Sequence, residues 1–329
     1  MDKNWVKNTV NIELELTSQC EVNCIACARN INGFVNKHFD QWEKLIRNDL
    51  NAINLQGITF TSNWGDPLDH PKFLEILELL LECYPDIKVQ ITSSLHYGNE
   101  DFYYKLASIL TQFQDAKIIT NIYGTGELHC IFRRNSDFEK VKVATTILAK
   151  NNTKVYWKFP IFKFNREDVD NIYDEAEACG VCNLEAISFS NNSKYNHLIN
   201  QTDGKADSLW LLPPEDPEYD FVENWGNHGF VQLTRNKKFD GNCESMYRKS
   251  VWIDPWGGVW PCYGLGKFSM ENEDLDGVVI DDAIDKYGFF NNLSEYSIIE
   301  ILNHEWYTTI LPSSQDTMPW QACKKECDI

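Results

Sequence analysis

The chain lacks any apolar run of about 18 residues, the length a membrane-crossing helix needs, so no membrane span is expected. Its opening, MDKNWVKNTVNIELEL, lacks the charged-then-apolar layout of a secretory signal. Basic residues are scarce: 30 Lys and Arg against 49 Asp and Glu give a formal net charge of −19. Such a surface repels phosphate, so a nucleic-acid partner is not expected. The acidic residues are spread along the chain rather than gathered in a tail, which reads as solubility. Repeats and low-complexity tracts are absent, and the 7 histidines show no metal-ligand spacing. These absences point to a cytoplasmic protein with reduced thiols, where clustered cysteines bind metal more often than they pair.

The 329 residues suit one large domain or a large one plus a small one, and 43% hydrophobic composition is ample for a core. Short apolar runs alternate with helical patterns. VNIELEL (10–16), INLQGITFT (53–61), IKVQITSS (87–94), AKIITNIYG (116–124), TKVYWKFPIF (153–162) and LEAISFS (184–190) read as strands. HFDQWEKLIRNDL, HPKFLEILELLLECY, EDFYYKLASILTQF, FEKVKVATTILAKN and REDVDNIYDEAEACG read as the helices between them. Strands alternating with helices imply an α/β fold with a parallel sheet, as a partial or full barrel or as a doubly wound sheet. Residues 196–240 are rich in Asn, Asp, Gly and Pro and read as a connecting segment between a unit at 1–195 and one at 241–329. In the last unit SVWIDPWGGVWPCY predicts a β-hairpin around Gly-Gly. LSEYSIIEILNHEWYTTIL (294–311 without its first residue) predicts one amphipathic helix capped by Ser294. The tryptophans after residue 205 read as the core of that small unit.

Of 11 cysteines, Cys20, Cys24 and Cys27 form C-x3-C-x2-C directly after the first strand. Three thiolates on one loop can hold three corners of a cubane iron–sulfur cluster or three positions around zinc. A closed structural site wants four protein ligands, and the nearest histidine is His38. The trio therefore leaves a coordination position open. A second group, Cys243, Cys262, Cys323 and Cys327, lies in the last part of the chain, and four cysteines there fit either an iron–sulfur cluster or a zinc ion. Cys179-Gly-Val-Cys182 falls at a helix-to-strand turn and reads as structural, and Cys83 reads as core.

This pattern resembles the signature of radical S-adenosylmethionine (radical SAM) enzymes. The resemblance implies a partial (β/α)6 TIM-like barrel and a [4Fe-4S] cluster on Cys20, Cys24 and Cys27. The open iron would bind the amino and carboxylate groups of S-adenosylmethionine, whose sulfonium is split to methionine and a 5′-deoxyadenosyl radical. Asn63-Trp64-Gly65-Asp66-Pro67 resembles the family's Gly-Gly-Glu-Pro-like motif, which receives the methionine amino group. Asp66 is one methylene shorter than the Glu of that motif. NIYGTGELHCIFRRNSDFEKV resembles a Ser-x-Asp-Gly-x-x-x-x-His-x-x-x-Arg pattern of the branch that modifies peptides and protein side chains. Asn121 takes its Ser position and Arg133 its Arg position, which implies places near the cofactor's carboxylate or ribose. Tyr123 replaces the Asp, and Ala26 stands where the family sets an aromatic residue against adenine. Cys243-x13-Gly257-x4-Cys262 resembles the opening of the SPASM/twitch extension. With Cys323 and Cys327 it implies the shorter twitch form and one auxiliary [4Fe-4S] cluster.

The function so implied is hydrogen abstraction from a substrate C–H bond, followed by oxidation, crosslinking or epimerisation of a peptide. A small-molecule alcohol is the alternative substrate. Flavodoxin or ferredoxin would supply the electron. Cys130, after strand four, is a candidate hydrogen donor, or else a buried small hydrophobe. Only about nine residues precede the first strand, so a substrate leader would need another surface or a partner protein. A non-catalytic, zinc-stabilised binding protein is the reading from a different class.

Overall fold

The computed structural model describes residues 9–25, 27, 29, 35–162, 164–188, 231–235, 245, 248–270 and 286–313. Cys243, Cys323 and Cys327, and with them the fourfold cysteine site, lie outside the described residues.

The described residues hold eleven strands: β1 (Asn11–Leu14), β2 (Asn23–Cys24), β3 (Gly57–Phe60), β4 (Lys88–Thr92), β5 (Asp115–Asn121), β6 (Arg133–Arg134), β7 (Lys154–Ile161), β8 (Asn183–Ser188), β9 (Val231–Arg235), β10 (Ser250–Ile253) and β11 (Val259–Trp260). Nine of them build one sheet in the order β11-β10-β1-β3-β4-β5-β7-β8-β9. Every neighbour pair is parallel except β10–β11. From β1 to β9 the order follows the chain without reversal. A doubly wound sheet reverses at a switch point, so this sheet is singly wound, as a partial barrel is. Among the described residues β9 and β11 are its edges.

Helices α1 (Phe73–Cys83), α2 (Glu100–Leu110), α3 (Glu127–Phe132), α4 (Phe138–Lys150) and α5 (Val169–Cys179) fill the crossovers. Their origin is local. α1 buries Phe73, Ile76, Leu77 and Leu80, the i, i+3, i+4, i+7 set of one helical face. Asn99 caps α2 by accepting from the Phe102 N–H, Asp137 caps α4, and Gly180 ends α5 at φ 77°. Consecutive helices α1–α2, α2–α4 and α4–α5 pack on one another. One face of the sheet is mainly apolar: Ile12, Ile58 and Val89 lie in register, as do Leu14, Phe60, Ile91 and Ile118, all buried. Many alternate positions are polar. Glu13, Thr59, Gln90 and Lys117 form one half-buried row, and Asn121, Lys158 and Glu185 another nearer the strand ends. A strand's period of two sorts the faces this way.

The structure differs from the sequence reading in several elements, beginning with HFDQWEKLIRNDL, which is α-helical only at Trp42–Lys44 and continues as a π-helical and a 3-10 turn. β9 lies inside the stretch read as a connector. β10 forms the expected hairpin with β11 but also extends the main sheet alongside β1. α6 (Tyr263–Met270) follows the hairpin, and the expected helix at 294–311 is two pieces, α7 (Ile298–Asn303) and a π-helical turn, Trp306–Ile310. Ser297 with Glu300, not Ser294, forms the capping box of α7, while the Ser294 hydroxyl donates to Asn292 Oδ1. The short ladder β2–β6 was not foreseen, because two residues carry no periodicity. No helix among the described residues is long and apolar enough to cross a membrane.

Candidate functional site

The three-cysteine loop leaves the C-terminal end of β1. It is held by bonds that use no thiol. Ser18 Oγ donates to Val35 O (2.9 Å) and accepts from Lys37 N (2.9 Å). The Arg29 guanidinium donates to Cys20 O (3.0 Å) and Val22 O (3.3 Å). β2 pairs with β6, setting Cys24 opposite Arg133, and Ile25 N donates to Phe132 O at 3.0 Å. Cys27 N donates to Cys24 O at 3.3 Å. All three cysteines are half-buried and lie outside any disulfide.

Electrostatics link them. Burial pushes the Cys20 thiol well up, and the nearby Asp66, Asp69 and Cys24 add to the push. Burial also pushes Cys24 up to about 11, with Cys27 adding while Arg133 and Arg29 oppose. Thiols that destabilise one another's ionised forms are the donor set a cation would relieve. They are gathered but not closed round a point: among the described residues no three Cys, His, Asp or Glu side chains form a ready metal cage.

The Asn63–Pro67 segment, expected at the cofactor, packs directly on this loop. Asp66 N donates to Gln19 O (2.8 Å), and the Asp69 carboxylate accepts from Glu21 N (2.8 Å). At Gly65 a Cβ would stand 2.0 Å from Thr17 O, so only glycine permits this approach. Asp66 is buried, and its Oδ2 already accepts from Ser93 Oγ (3.1 Å), Ser94 N (2.6 Å) and Ser94 Oγ (2.6 Å). Among the described residues its Oδ1 accepts only from Leu68 N (3.1 Å), which leaves that oxygen a lone pair for one more donor. Pro67 opens the 3-10 turn Pro67–Asp69. Asn63 turns its amide to Glu15 (3.0 Å). Trp64 points elsewhere, packing edge-on against Trp252 (5.0 Å), Trp256 (5.8 Å) and Tyr263 (6.0 Å). Cys262, next to Tyr263, is half-buried, and its Sγ accepts from Leu265 N at 3.4 Å.

Sequence reasoning missed two carboxylates here. Glu15 is fully buried and accepts five hydrogen bonds from residues 61–65. Asp69 is pushed up to about 7, by burial first and then by Asp66. A charged residue at a position that should alternate into a strand end was the available signal for Glu15.

Arg133 is buried and lies over the Tyr123 ring at 5.4 Å, beside Cys24 and with Ser94 O at 3.5 Å. Its Nε has no hydrogen-bond partner among the described residues. Tyr123, in place of the family's Asp, stacks on Phe132 (4.1 Å), which stacks on Phe162 (5.6 Å), and Cys24 and Ile25 pack against this group. Asn121 ends β5 beside Lys158 of β7, and its side chain makes no hydrogen bond among the described residues. The Cys130 thiol donates to Ser136 O (3.1 Å), within its own connection. Thus Cys20, Cys24, Cys27, Asp66 and Arg133 are neighbours, whereas Trp64 and Cys130 turn to other contacts.

His129, also in this region, is fully buried; its Nδ1 accepts from Tyr123 N (3.3 Å) and its Nε2 has no partner among the described residues. Burial, then Arg133, pushes it down to about 3. The folded chain keeps it neutral while the unfolded chain protonates near the ordinary value of about 6.5. Its stabilising contribution is therefore complete above about pH 6.5 and is lost as pH falls from there toward about 3. One pH unit below the unfolded value the loss is ~1.4 kcal/mol. His70, pushed down to about 4 by burial, adds in the same direction. On acidification from about pH 7.5 to about 5.5, His129→Asn should lose less of its thermal midpoint than the parent protein. Equal losses would show that His129 does not carry the effect.

No protein-family model matches the chain, and no curated protein sequence matches it either. Solved structures do. SuiB from Streptococcus suis bound to S-adenosylmethionine is 12% identical with a TM-score of 0.61, over 93% of this chain and 68% of SuiB. SuiB alone gives 12% and 0.60 over the same shares. SuiB bound to its precursor peptide SuiA gives 11% and 0.59, over 93% and 67%. At these identities the likeness is one of architecture: the chain has the fold of the radical SAM enzymes.

Proposed function

We propose that the chain is a radical SAM enzyme that abstracts hydrogen from a C–H bond of a peptide. The observation that carries the reading is the joint at the C-terminal end of β1. There a three-thiol loop with an open coordination position is locked to Gly65–Asp66 on one side and to Arg133 on the other. The donor set fits a [4Fe-4S] cluster on Cys20, Cys24 and Cys27, which when bound would supply the electron that splits the sulfonium of S-adenosylmethionine. Asp66 offers Oδ1 to the ammonium of the cofactor. Arg133 and the unoccupied amide of Asn121 serve its carboxylate or ribose, and Arg133 also offsets thiolate charge beside Cys24.

A peptide substrate is supported by the SuiB–SuiA complex and by the polar face of the sheet. The Lys158–Glu185 ion pair (3.2 Å) in the Asn121 row offers both signs of charge to a polar ligand. Cys243, Cys262, Cys323 and Cys327 are assigned to an auxiliary [4Fe-4S] cluster in a C-terminal unit at 241–329, able to take an electron from the oxidised substrate. Cys130 stays a candidate hydrogen donor. A reduced flavodoxin or ferredoxin in the cytoplasm is the proposed electron source.

Protein purified without oxygen should be brown, with roughly eight irons per chain for two four-iron clusters. On adding dithionite and S-adenosylmethionine it should form 5′-deoxyadenosine and methionine. A colourless, zinc-loaded protein that leaves S-adenosylmethionine intact would replace this reading with a structural metal protein.

A further inference from the structure

Glu15 follows the last residue of β1 and is 0% exposed. Its Oε2 accepts from Thr61 Oγ1 (2.8 Å), Asn63 N (3.1 Å) and Asn63 Nδ2 (3.0 Å). Its Oε1 accepts from Trp64 N (2.8 Å) and Gly65 N (3.1 Å). All five donors belong to residues 61–65, the segment that delivers Asp66. Glu15 is itself fixed by its backbone, since its N–H donates to Ile253 O of β10 at 2.9 Å, while Thr61 N donates to Leu14 O at 2.9 Å. A carboxylate is an unusual thing to bury this way. Its charge is met by the dipoles of a single loop, the arrangement of an anion nest with the anion supplied by the protein.

The arrangement has a geometric result. A trans peptide is planar, with N–H and C=O on opposite sides. Turning the N–H groups of Asn63, Trp64 and Gly65 toward Glu15 turns the carbonyls of Ser62, Asn63 and Trp64 away from it. Those of Ser62 and Asn63 accept no hydrogen bond among the described residues. A loop of this length with no buried anion would settle into turns in which its own N–H and C=O groups compete. With the anion, the N–H groups of Asn63, Trp64 and Gly65 are satisfied on one side, and the carbonyls of Ser62 and Asn63 remain as acceptors in the segment that carries Asp66.

We propose that Glu15 is a positioning residue for the cofactor: by binding the N–H side of residues 61–65, it aims their carbonyls and Asp66 at the ammonium of S-adenosylmethionine. This rests on the function proposed above and adds to it a residue that touches neither metal nor cofactor.

The test uses full-length, cluster-loaded protein and S-adenosylmethionine as the probe. Glu15→Gln keeps the shape but turns an NH2 toward donors. It should weaken S-adenosylmethionine binding about tenfold or more, as loss of a charge-assisted network does. Iron content should be unchanged, and the rate at saturating cofactor should stay within about threefold, so that KM moves more than kcat. In a double-mutant cycle the Glu15→Gln and Asp66→Ala losses should fall short of additive, because both act through one loop position. A merely structural role would lower the thermal midpoint while leaving cofactor affinity per loaded molecule unchanged. That result, or full additivity, would overturn the proposal. If Glu15→Gln does not accumulate, Thr61→Val and Asn63→Ala remove donors singly and must show the same split, and unchanged affinity in both would also overturn it. A parent protein that binds no S-adenosylmethionine would instead sink the functional reading, and this inference with it.

Discussion

Replacing Cys20, Cys24 and Cys27 together with alanine is expected to halve the iron and to abolish formation of 5′-deoxyadenosine from S-adenosylmethionine. The fold should survive. The loop is anchored by Ser18 to Val35 and Lys37, by Arg29 to the carbonyls of Cys20 and Val22, and by the β2–β6 ladder. None of these bonds uses a sulfur. Removing the thiols also removes buried groups that burial and neighbouring carboxylates disfavour in their charged form. The variant should therefore keep a thermal midpoint close to that of the unloaded parent. Iron that remains belongs to the C-terminal cysteines, so the protein should stay brown. Iron analysis and chromatography of the reaction mixture check both halves. A triple variant that still makes 5′-deoxyadenosine would remove the Cys20–Cys27 loop from the chemistry, and one that loses all iron would show that no second cluster exists.

The sheet was legible because its strands are apolar and buried on one face and largely polar on the other. IKVQITSS and TKVYWKFPIF show both their length and their alternation, and each falls within about two residues of its observed bounds, as the fraying of element ends allows. The cysteine loop was legible because a metal site needs fixed ligand types at short spacing. What escaped is what tertiary contact decides. VQLTR becomes β9 only because β8 offers an edge, and its flanks look like a linker. Ser294 and Ser297 both have N-cap chemistry; Ser297 takes the role because Glu300 stands three residues on and closes the box. Asp66 was readable as an acceptor, but nothing in the sequence indicated that Ser93 and Ser94 would occupy one of its oxygens. Glu15 sits 46 positions before its first donor, Thr61, a separation no local pattern spans.

Among the described glycines, Gly65→Ala should produce the largest effect of a single added methyl group. The added carbon would lie 2.0 Å from Thr17 O and 2.7 Å from both Gln19 O and Thr17 C. All three are backbone atoms, so no side chain can swing aside. Thr17 cannot retreat freely either, since its hydroxyl donates to Lys37 O (3.0 Å) and contacts His38 Nδ1 (2.9 Å). From the other side Gly65 N is bonded to Glu15, and Gln19 O accepts from Asp66 N. One of the two loops must move, and overpacking of this kind typically costs about 1–3 kcal/mol, occasionally more. Whichever loop yields, the register between the thiols and Asp66 is lost, so cleavage of S-adenosylmethionine should fall far more than stability does. Gly126→Ala is the control. Gly126 has φ 52°, and a Cβ there would meet nothing within 4 Å, so the substitution strains the backbone without a clash. It should lower the thermal midpoint modestly and leave cleavage intact. If Gly65→Ala retains parental cleavage and cofactor affinity, the contact between the two loops is incidental, and the joint at the end of β1 is not what places the cofactor.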